Sequence, residues 1–120
     1  MRHLLIAAAT IGWIASAQAA EPLSGEQRAL AGWVGAAMFS ADRCPKTELI
    51  IENIGANLKD ANVAPEQSTG DEWKAALAHS NAQYQQDIAK DAVGFCSRMW
   101  KALGDDPMSV KHPLLRKSGT

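Results

Sequence analysis

The sequence predicts an all-α fold, a small bundle of three to five helices stapled by one disulfide. Apolar residues recur at the three- and four-residue spacing of amphipathic helices over most of the chain. No stretch shows the alternation of apolar and polar residues that is typical of strands. The chain contains two cysteines, Cys44 and Cys96, and its 120 residues leave room for one domain.

The first 19 residues have the three parts of a cleavable signal peptide. Residues 1–3 form a short basic start, residues 4–14 are almost entirely apolar, and residues 17–19 (Ala-Gln-Ala) match a cleavage site. The apolar run is shorter than the roughly 20 residues that cross a bilayer. We therefore expect residues 1–19 to be removed, no membrane span after cleavage, and a periplasmic or secreted product.

The first helix is predicted to begin after Ser24. Ser24 and Gln27 have the spacing of a capping box, and one apolar stripe then runs from Leu30 to Ala41. Glycine is unfavourable inside a helix, so Gly32 and Gly35 predict a place where another helix packs closely against this one.

A second helix is predicted to open at Cys44-Pro45, because proline fits the first turn of a helix. Its apolar residues are evenly spaced, and it should end near Asp60 or Asn62. Residues 62–70 are the main turn-forming segment, in which residues 65–67 offer a short helical turn.

Residues 70–103 keep the helical spacing, as one long helix or as two. Thr69 and Glu72 match a capping box, so a helix should start there. A break near Asp91 is favoured because Asp91 is a good cap for a new helix, and Gly104 is expected to close the last one. These helices complete a domain over residues 20–104.

Residues 105–120 are predicted to form an irregular C-terminal tail. Leu114 and Leu115 either dock on the bundle or belong to a partner-binding peptide.

The two cysteines predict a disulfide between the start of the second helix and the last helix. An even pair of cysteines in a small exported domain is usually oxidised. The alternative, a thiol nucleophile, requires a neighbouring base. His79 and His112 both stand far from Cys44 and Cys96 in the sequence, so the structural disulfide is the preferred interpretation.

Charge and motifs argue against several classes of function. A net charge of −1 lacks the basic excess of a nucleic-acid binder, so no nucleic acid is expected as a partner. The sequence contains no Gly-rich phosphate loop and no Cys-x-x-Cys motif, and no cofactor is predicted. No nucleophile stands beside a base, and the chain is therefore predicted not to be an enzyme.

Two polar patterns and the tryptophans are interpreted as structural or surface features rather than as functional sites. His79, Gln83 and Asp87 share a predicted helix face, but one imidazole and one carboxylate are too few for a metal site. Glu48 and Glu52 are predicted to be a surface pair on the second helix. Three tryptophans fall on apolar stripes and are predicted to lie in the core: Trp33, Trp73 and Trp100.

The order of features resembles small two-cysteine exported proteins of proteobacteria: an Ala-rich leader, a helix, Cys-Pro, and a second Cys inside a final helix that ends at Gly. In size, expected cellular location and cysteine separation the chain is similar to periplasmic acid-stress chaperones of the HdeA type. That resemblance implies a helical domain that acid loosens for binding client proteins. It transfers no functional residue, because residues 42–46 (Asp-Arg-Cys-Pro-Lys) depart from the Trp-x-Cys pattern of that type.

The expected function is therefore that of an exported protein-binding or chaperone-like module with a protein partner. Two alternatives are an inhibitor or immunity-type protein of a periplasmic enzyme, which needs a rigid preformed surface, and a small-molecule-binding bundle, which needs an apolar cavity.

Overall fold

A computed structural model describes residues 21–118, so the predicted signal peptide at residues 1–19 lies outside the described residues. Residues 21–118 form five helices and one two-stranded antiparallel sheet. The elements in chain order are α1 (Gly25–Arg43), β1 (Thr47–Leu49), α2 (Ile51–Asp60), α3 (Pro65–Ser68), α4 (Asp71–Lys90), α5 (Ala92–Leu103) and β2 (Leu115–Lys117). The predicted all-α class and the number of helices are confirmed, with a short sheet in addition.

Helix α1 begins and packs as the sequence predicts. Ser24 Oγ accepts a hydrogen bond from the Gln27 backbone N–H (3.1 Å), and Gln27 Oε1 accepts one from the Ser24 N–H (3.0 Å). Helix α4 packs along α1, where a Cβ atom on Gly35 would stand 3.4 Å from Leu77. The absence of a side chain at Gly35 therefore lets the two helices approach closely.

The core lies between α1, α4, α5 and the C-terminal segment. Helices α1 and α5 bury apolar residues at helical spacing, and the C-terminal segment adds two leucines that are almost completely enclosed. The larger buried side chains are Leu23, Leu30, Val34, Phe39, Trp73, Phe95, Met99, Leu103, Leu114 and Leu115.

The predicted start of the second helix at Cys44-Pro45 is wrong. Cys44 is the C-cap of α1, Lys46 adopts a left-handed φ of 51°, and residues 47–49 form β1. Helix α2 begins only at Ile51, although it ends at Asp60 as predicted. The cause is tertiary, because β1 takes its hydrogen-bonding partner from the C-terminal segment.

Within the predicted irregular tail, residues 105–120, residues 105–114 are irregular as expected, whereas residues 115–117 are not. Leu115–Lys117 form β2, which pairs with β1 so that Thr47 faces Lys117 and Leu49 faces Leu115. Leu114 and Leu115 are buried, which confirms the predicted docking of the two leucines. The segment is part of the folded domain rather than a free peptide.

The boundary between α4 and α5 confirms the predicted break. Asp91 ends α4, and its carboxylate accepts a hydrogen bond of 2.9 Å from the Gly94 N–H in the first turn of α5. The capping box predicted at Thr69 is wrong, because the Thr69 hydroxyl donates instead to the carbonyl oxygen of Pro65 at 2.8 Å. That bond lies at the end of α3, the short helical turn predicted after Pro65.

Candidate functional site

The predicted disulfide is present and joins the end of α1 to the middle of α5. The Cα atoms of Cys44 and Cys96 are 5.7 Å apart, inside the usual range for a disulfide, and no cysteine in residues 21–118 is free. The bond therefore links the last helix to the end of the first helix, not to the start of the second as predicted. A disulfide of this kind is typical of an oxidising compartment outside the cytoplasm.

An open apolar groove of about 510 Å³ lies beside this disulfide. Its floor is one face of α5, and its other side is formed by the turn after α1 and by the end of the sheet. Val93 is 83% exposed in it, which is unusual for a large apolar side chain. The lining residues are Arg43, Pro45, Thr47, Ala92, Val93, Cys96, Ser97, Trp100 and Lys117.

The phase of α5 explains why these residues face solvent. Phe95, Met99 and Leu103 recur at helical spacing and are buried in the core. Val93 and Trp100 fall on a different side of the same helix, together with the half-buried Cys96. The disulfide therefore forms part of the groove as well as a link within the core.

Gly104 allows the Trp100 ring to lie against the end of α5. A Cβ atom at Gly104 would stand 2.5 Å from the Trp100 ring and 2.6 Å from the Trp100 carbonyl oxygen. The N–H of Gly104 donates to that same oxygen at 2.8 Å, which ends the helix as predicted. A larger residue at this position would displace the aromatic wall of the groove.

Two cations border the groove and lie on aromatic rings. The Lys117 ammonium is 4.4 Å from the centroid of the Trp100 ring, and the Arg43 guanidinium is 4.9 Å from the centroid of Phe39. Arg43 also pairs with the neighbouring Asp42 at 3.4 Å. The groove thus combines an apolar floor with a positively charged rim.

Aromatic side chains support the groove from the core side. Phe39 and Phe95 meet edge to face with centroids 5.7 Å apart, and Tyr84 packs on both. Burial raises the pKa of the Tyr84 hydroxyl, and the charge of Asp87 adds to that shift. The phenol is therefore neutral at physiological pH and acts as a packing group.

A second set of polar contacts fastens the C-terminal segment to α2. Asn57 donates to the His112 carbonyl oxygen (2.9 Å) and accepts from the His112 N–H (3.1 Å), and Asn53 donates to the Pro113 carbonyl oxygen (2.8 Å). The His112 ring lies 2.7 Å from an Asp60 carboxylate oxygen. This hydrogen bond lowers the pKa of Asp60, and the positive charge of His112 acts in the same direction.

The N-terminal end of the described chain is held in a similar way on α4. Glu72 accepts a hydrogen bond from the Leu23 N–H at 3.0 Å and pairs with Arg28 of α1. The bond from Leu23 is the main reason why the pKa of Glu72 is lowered, with the Arg28 contact second among the causes that lower it. One carboxylate therefore helps to hold each terminal segment, Glu72 at Leu23 and Asp60 at His112.

The other residues considered for chemistry do not converge. His79 and Gln83 are exposed on α4, and no group of three possible metal ligands occurs within residues 21–118. Glu48 lies on β1 and pairs with Arg116 at 3.1 Å, so the pair predicted with Glu52 on one helix does not form. None of the helices described is long and apolar enough to span a bilayer.

The tryptophans divide between the core and the surface. Trp73 is buried as predicted, whereas Trp33 and Trp100 are only half-buried and Trp100 lines the groove. Sequence reasoning missed the groove because Lys117 and Pro45 reach it from distant parts of the chain. The available signal was Val93, an apolar residue that lies off the stripe formed by Phe95 and Met99.

No protein-family model, curated protein or solved structure matches this chain.

Proposed function

We propose that this chain is an exported protein-binding module that holds an apolar side chain of a partner protein in the groove beside the disulfide. The observation that carries the proposal is the exposure of Val93 in the groove that the Cys44–Cys96 disulfide and Trp100 also line. Binding rather than catalysis is the role assigned to this site.

The shape of the groove favours a protein partner over a small molecule. A small-molecule site usually encloses most of its ligand, whereas this groove is open along one side. Covering a valine side chain fully contributes about 1.5 kcal/mol, a useful anchor within a larger interface. A disulfide and a sheet hold the walls in place, which limits the entropy lost on binding.

The export part of the proposal rests on the leader-like residues 1–19 and on the disulfide. Intact-mass analysis of periplasmic and secreted fractions, with and without reductant and alkylation, tests it. We expect a mass that lacks the leader and takes up two alkyl groups only after reduction. A full-length, cytoplasmic product with two free thiols would contradict the proposal.

The binding part is tested by cross-linking in the living cell. A photo-crosslinking amino acid replaces Val93 in one variant and Ile51, another exposed apolar residue that is 70% exposed, in the control. We expect a discrete adduct with one partner at position 93 and none at position 51, because only the first site lines the groove. Equal adducts at both positions, or none at position 93, would contradict the proposal.

A second candidate function, an acid-released chaperone, is favoured by the two carboxylates that tie down the ends of the chain. Glu72 and Asp60 both have lowered pKa values, so protonation in acid weakens the contacts with Leu23 and His112. Leu23 and, two residues after His112, Leu114 are buried, and release of the two terminal segments would expose this apolar surface to clients.

Suppression of client aggregation separates the two candidates. The chaperone predicts suppression and binding of an apolar dye at about pH 3 and neither at pH 7, and it predicts no effect of Val93→Asp. The groove predicts binding at neutral pH that Val93→Asp abolishes and Ile51→Asp preserves. Activity only in acid would favour the chaperone over the groove.

A further inference from the structure

Charge is unevenly distributed over the described residues. The three segments that build the groove are residues 43–47, 92–103 and 115–117, which together contain six basic residues and no acidic residue. The remaining part of residues 21–118 contains five basic and thirteen acidic residues. A nearly neutral net charge therefore conceals an acidic remainder and a basic face at the groove, where Arg43 and Lys117 belong to the lining and no acidic residue does.

Three carboxylates flank these segments, and each already has a partner. Asp42 pairs with Arg43 at 3.4 Å, Glu48 pairs with Arg116 at 3.1 Å, and Asp91 accepts the hydrogen bond that caps α5. They reduce the positive charge of the face without reversing it.

Lys117 is the cation best placed to meet a bound segment. It is exposed on β2, it lines the groove, and its ammonium lies 4.4 Å from the centroid of the Trp100 ring. An ammonium on an aromatic ring keeps its charge and has hydrogen-bond donors to spare. Lys101 follows Ser97 by one turn of α5 and so extends the positive rim along the helix.

We propose that the partner segment held in the groove is acidic as well as apolar, with carboxylates on both sides of an apolar anchor. This inference rests on the proposed function and names the chemistry of its partner. Apolar side chains of the segment cover Val93 and Trp100, which lie about two turns apart on α5, and the carboxylates meet Lys117 and Lys101. The acidic remainder of the domain repels such a segment elsewhere and steers it to this face.

Binding of synthetic peptides tests the proposal. Three fluorescein-labelled peptides share a Leu-Leu-Phe centre and differ only in their flanks, which are glutamates, glutamines or lysines. Fluorescence anisotropy with the oxidised protein is expected to show the glutamate peptide binding about tenfold more tightly than the glutamine peptide. The lysine peptide is expected to bind most weakly.

Charge variants assign this preference to the groove. Lys117→Glu is expected to weaken binding of the glutamate peptide about fivefold to tenfold more than it weakens binding of the glutamine peptide. Lys111→Glu makes the same change of charge at an exposed position outside the groove, and less than about a twofold effect is expected. Circular dichroism confirms that both variants are folded.

The outcomes separate this inference from the proposed function. If the glutamate and glutamine peptides bind equally and Val93→Asp abolishes both, the proposed apolar groove stands and the inference of an acidic partner segment is overturned. Failure of all three peptides to bind would overturn both. The protein could instead bind vesicles of anionic phosphatidylglycerol, lose this binding in Val93→Asp, and fail to bind the glutamate peptide. That result would overturn the acidic protein segment and identify a membrane surface as the partner.

Discussion

The groove and the two ends of the described chain are fastened by different chemistry. A covalent bond and a sheet fix the groove, whereas hydrogen bonds accepted by Glu72 and Asp60 and donated by Asn57 hold the terminal segments. We therefore expect a reductant to act on the first region and acid to act on the second. The difference predicts that reduction and acid act on different contacts, and the two regions meet at β2, where Lys117 belongs to the C-terminal segment and lines the groove.

Removing the disulfide is expected to have the largest effect, since it acts on the region that is fixed covalently. Cys44→Ala with Cys96→Ala frees a loop of 52 positions, and the free energy of unfolding should fall by about 4 kcal/mol. Urea denaturation measures this loss. A decrease below about 1 kcal/mol would show that the sheet and the core hold the groove without the covalent bond.

Truncating a docked leucine tests whether the C-terminal segment belongs to the core. Leu114 is completely buried, so Leu114→Ala should lower the free energy of unfolding by about 2–5 kcal/mol. Met108→Ala is the control, because Met108 lies in the same segment and is 83% exposed. It should change stability by no more than about 0.5 kcal/mol. Similar effects of the two variants would contradict the packing described.

A substitution of Asn57 tests the hydrogen bonds that attach the C-terminal segment to α2. Asn57→Ala leaves the N–H and carbonyl groups of His112 without their partner, which should cost about 1–3 kcal/mol. Hydrogen exchange of the His112 amide should become faster, while the exchange of Cys96 in α5 stays slow. Asn81→Ala, at an exposed position on α4, is the control. Unchanged exchange at His112 would show that other contacts hold the segment.

The smallest effect is expected from single carboxylates, and it depends on pH. A carboxylate whose pKa is lowered by folding stabilises the native state above the pKa of the unfolded chain, and this stability is lost as the pH falls through the folded pKa. Glu72, with an ordinary value of 4.5, should therefore contribute fully at neutral pH and lose its contribution below about pH 4.5.

Glu72→Gln should accordingly flatten the decline of stability in acid, and Asp60→Asn should do the same from about pH 3.8 downward. Thermal unfolding over a pH series measures both slopes, with Glu66→Gln on α3 as an exposed control. Loss of the Glu72 and Asp60 contacts should weaken peptide binding in the groove less than it weakens the attachment of the terminal segments. An acid decline that is identical in Glu72→Gln and in the unmodified chain would contradict the role of Glu72.

Local signals predicted the parts of the fold that local energetics control. The capping box at Ser24, the break at Asp91 and the close helix contact at Gly35 follow from side-chain geometry within a few residues or from the lack of a Cβ atom. The segment after Cys44 was mispredicted because Pro45 is compatible with a helix start and with a turn. Only the distant β2 decides between them.

The groove could not be predicted in the same way. Val93 lies off the core stripe, and this was visible in the helical spacing, whereas the spacing placed Trp100 on the stripe and wrongly predicted it in the core. Lys117 and Arg43 reach the same place only through the sheet and the disulfide. Their convergence is a property of chain topology, and no local pattern records it.

By itself, the sequence determined the all-helical class, most helix ends and the pairing of the two cysteines, because amphipathic spacing, capping and the presence of two thiols act locally or leave one solution. The tertiary structure alone decided the strand after Cys44, the burial of Leu114 and Leu115, and the groove with its basic rim. These features depend on contacts between residues far apart in the chain, whose free energy arises only when the whole domain has folded.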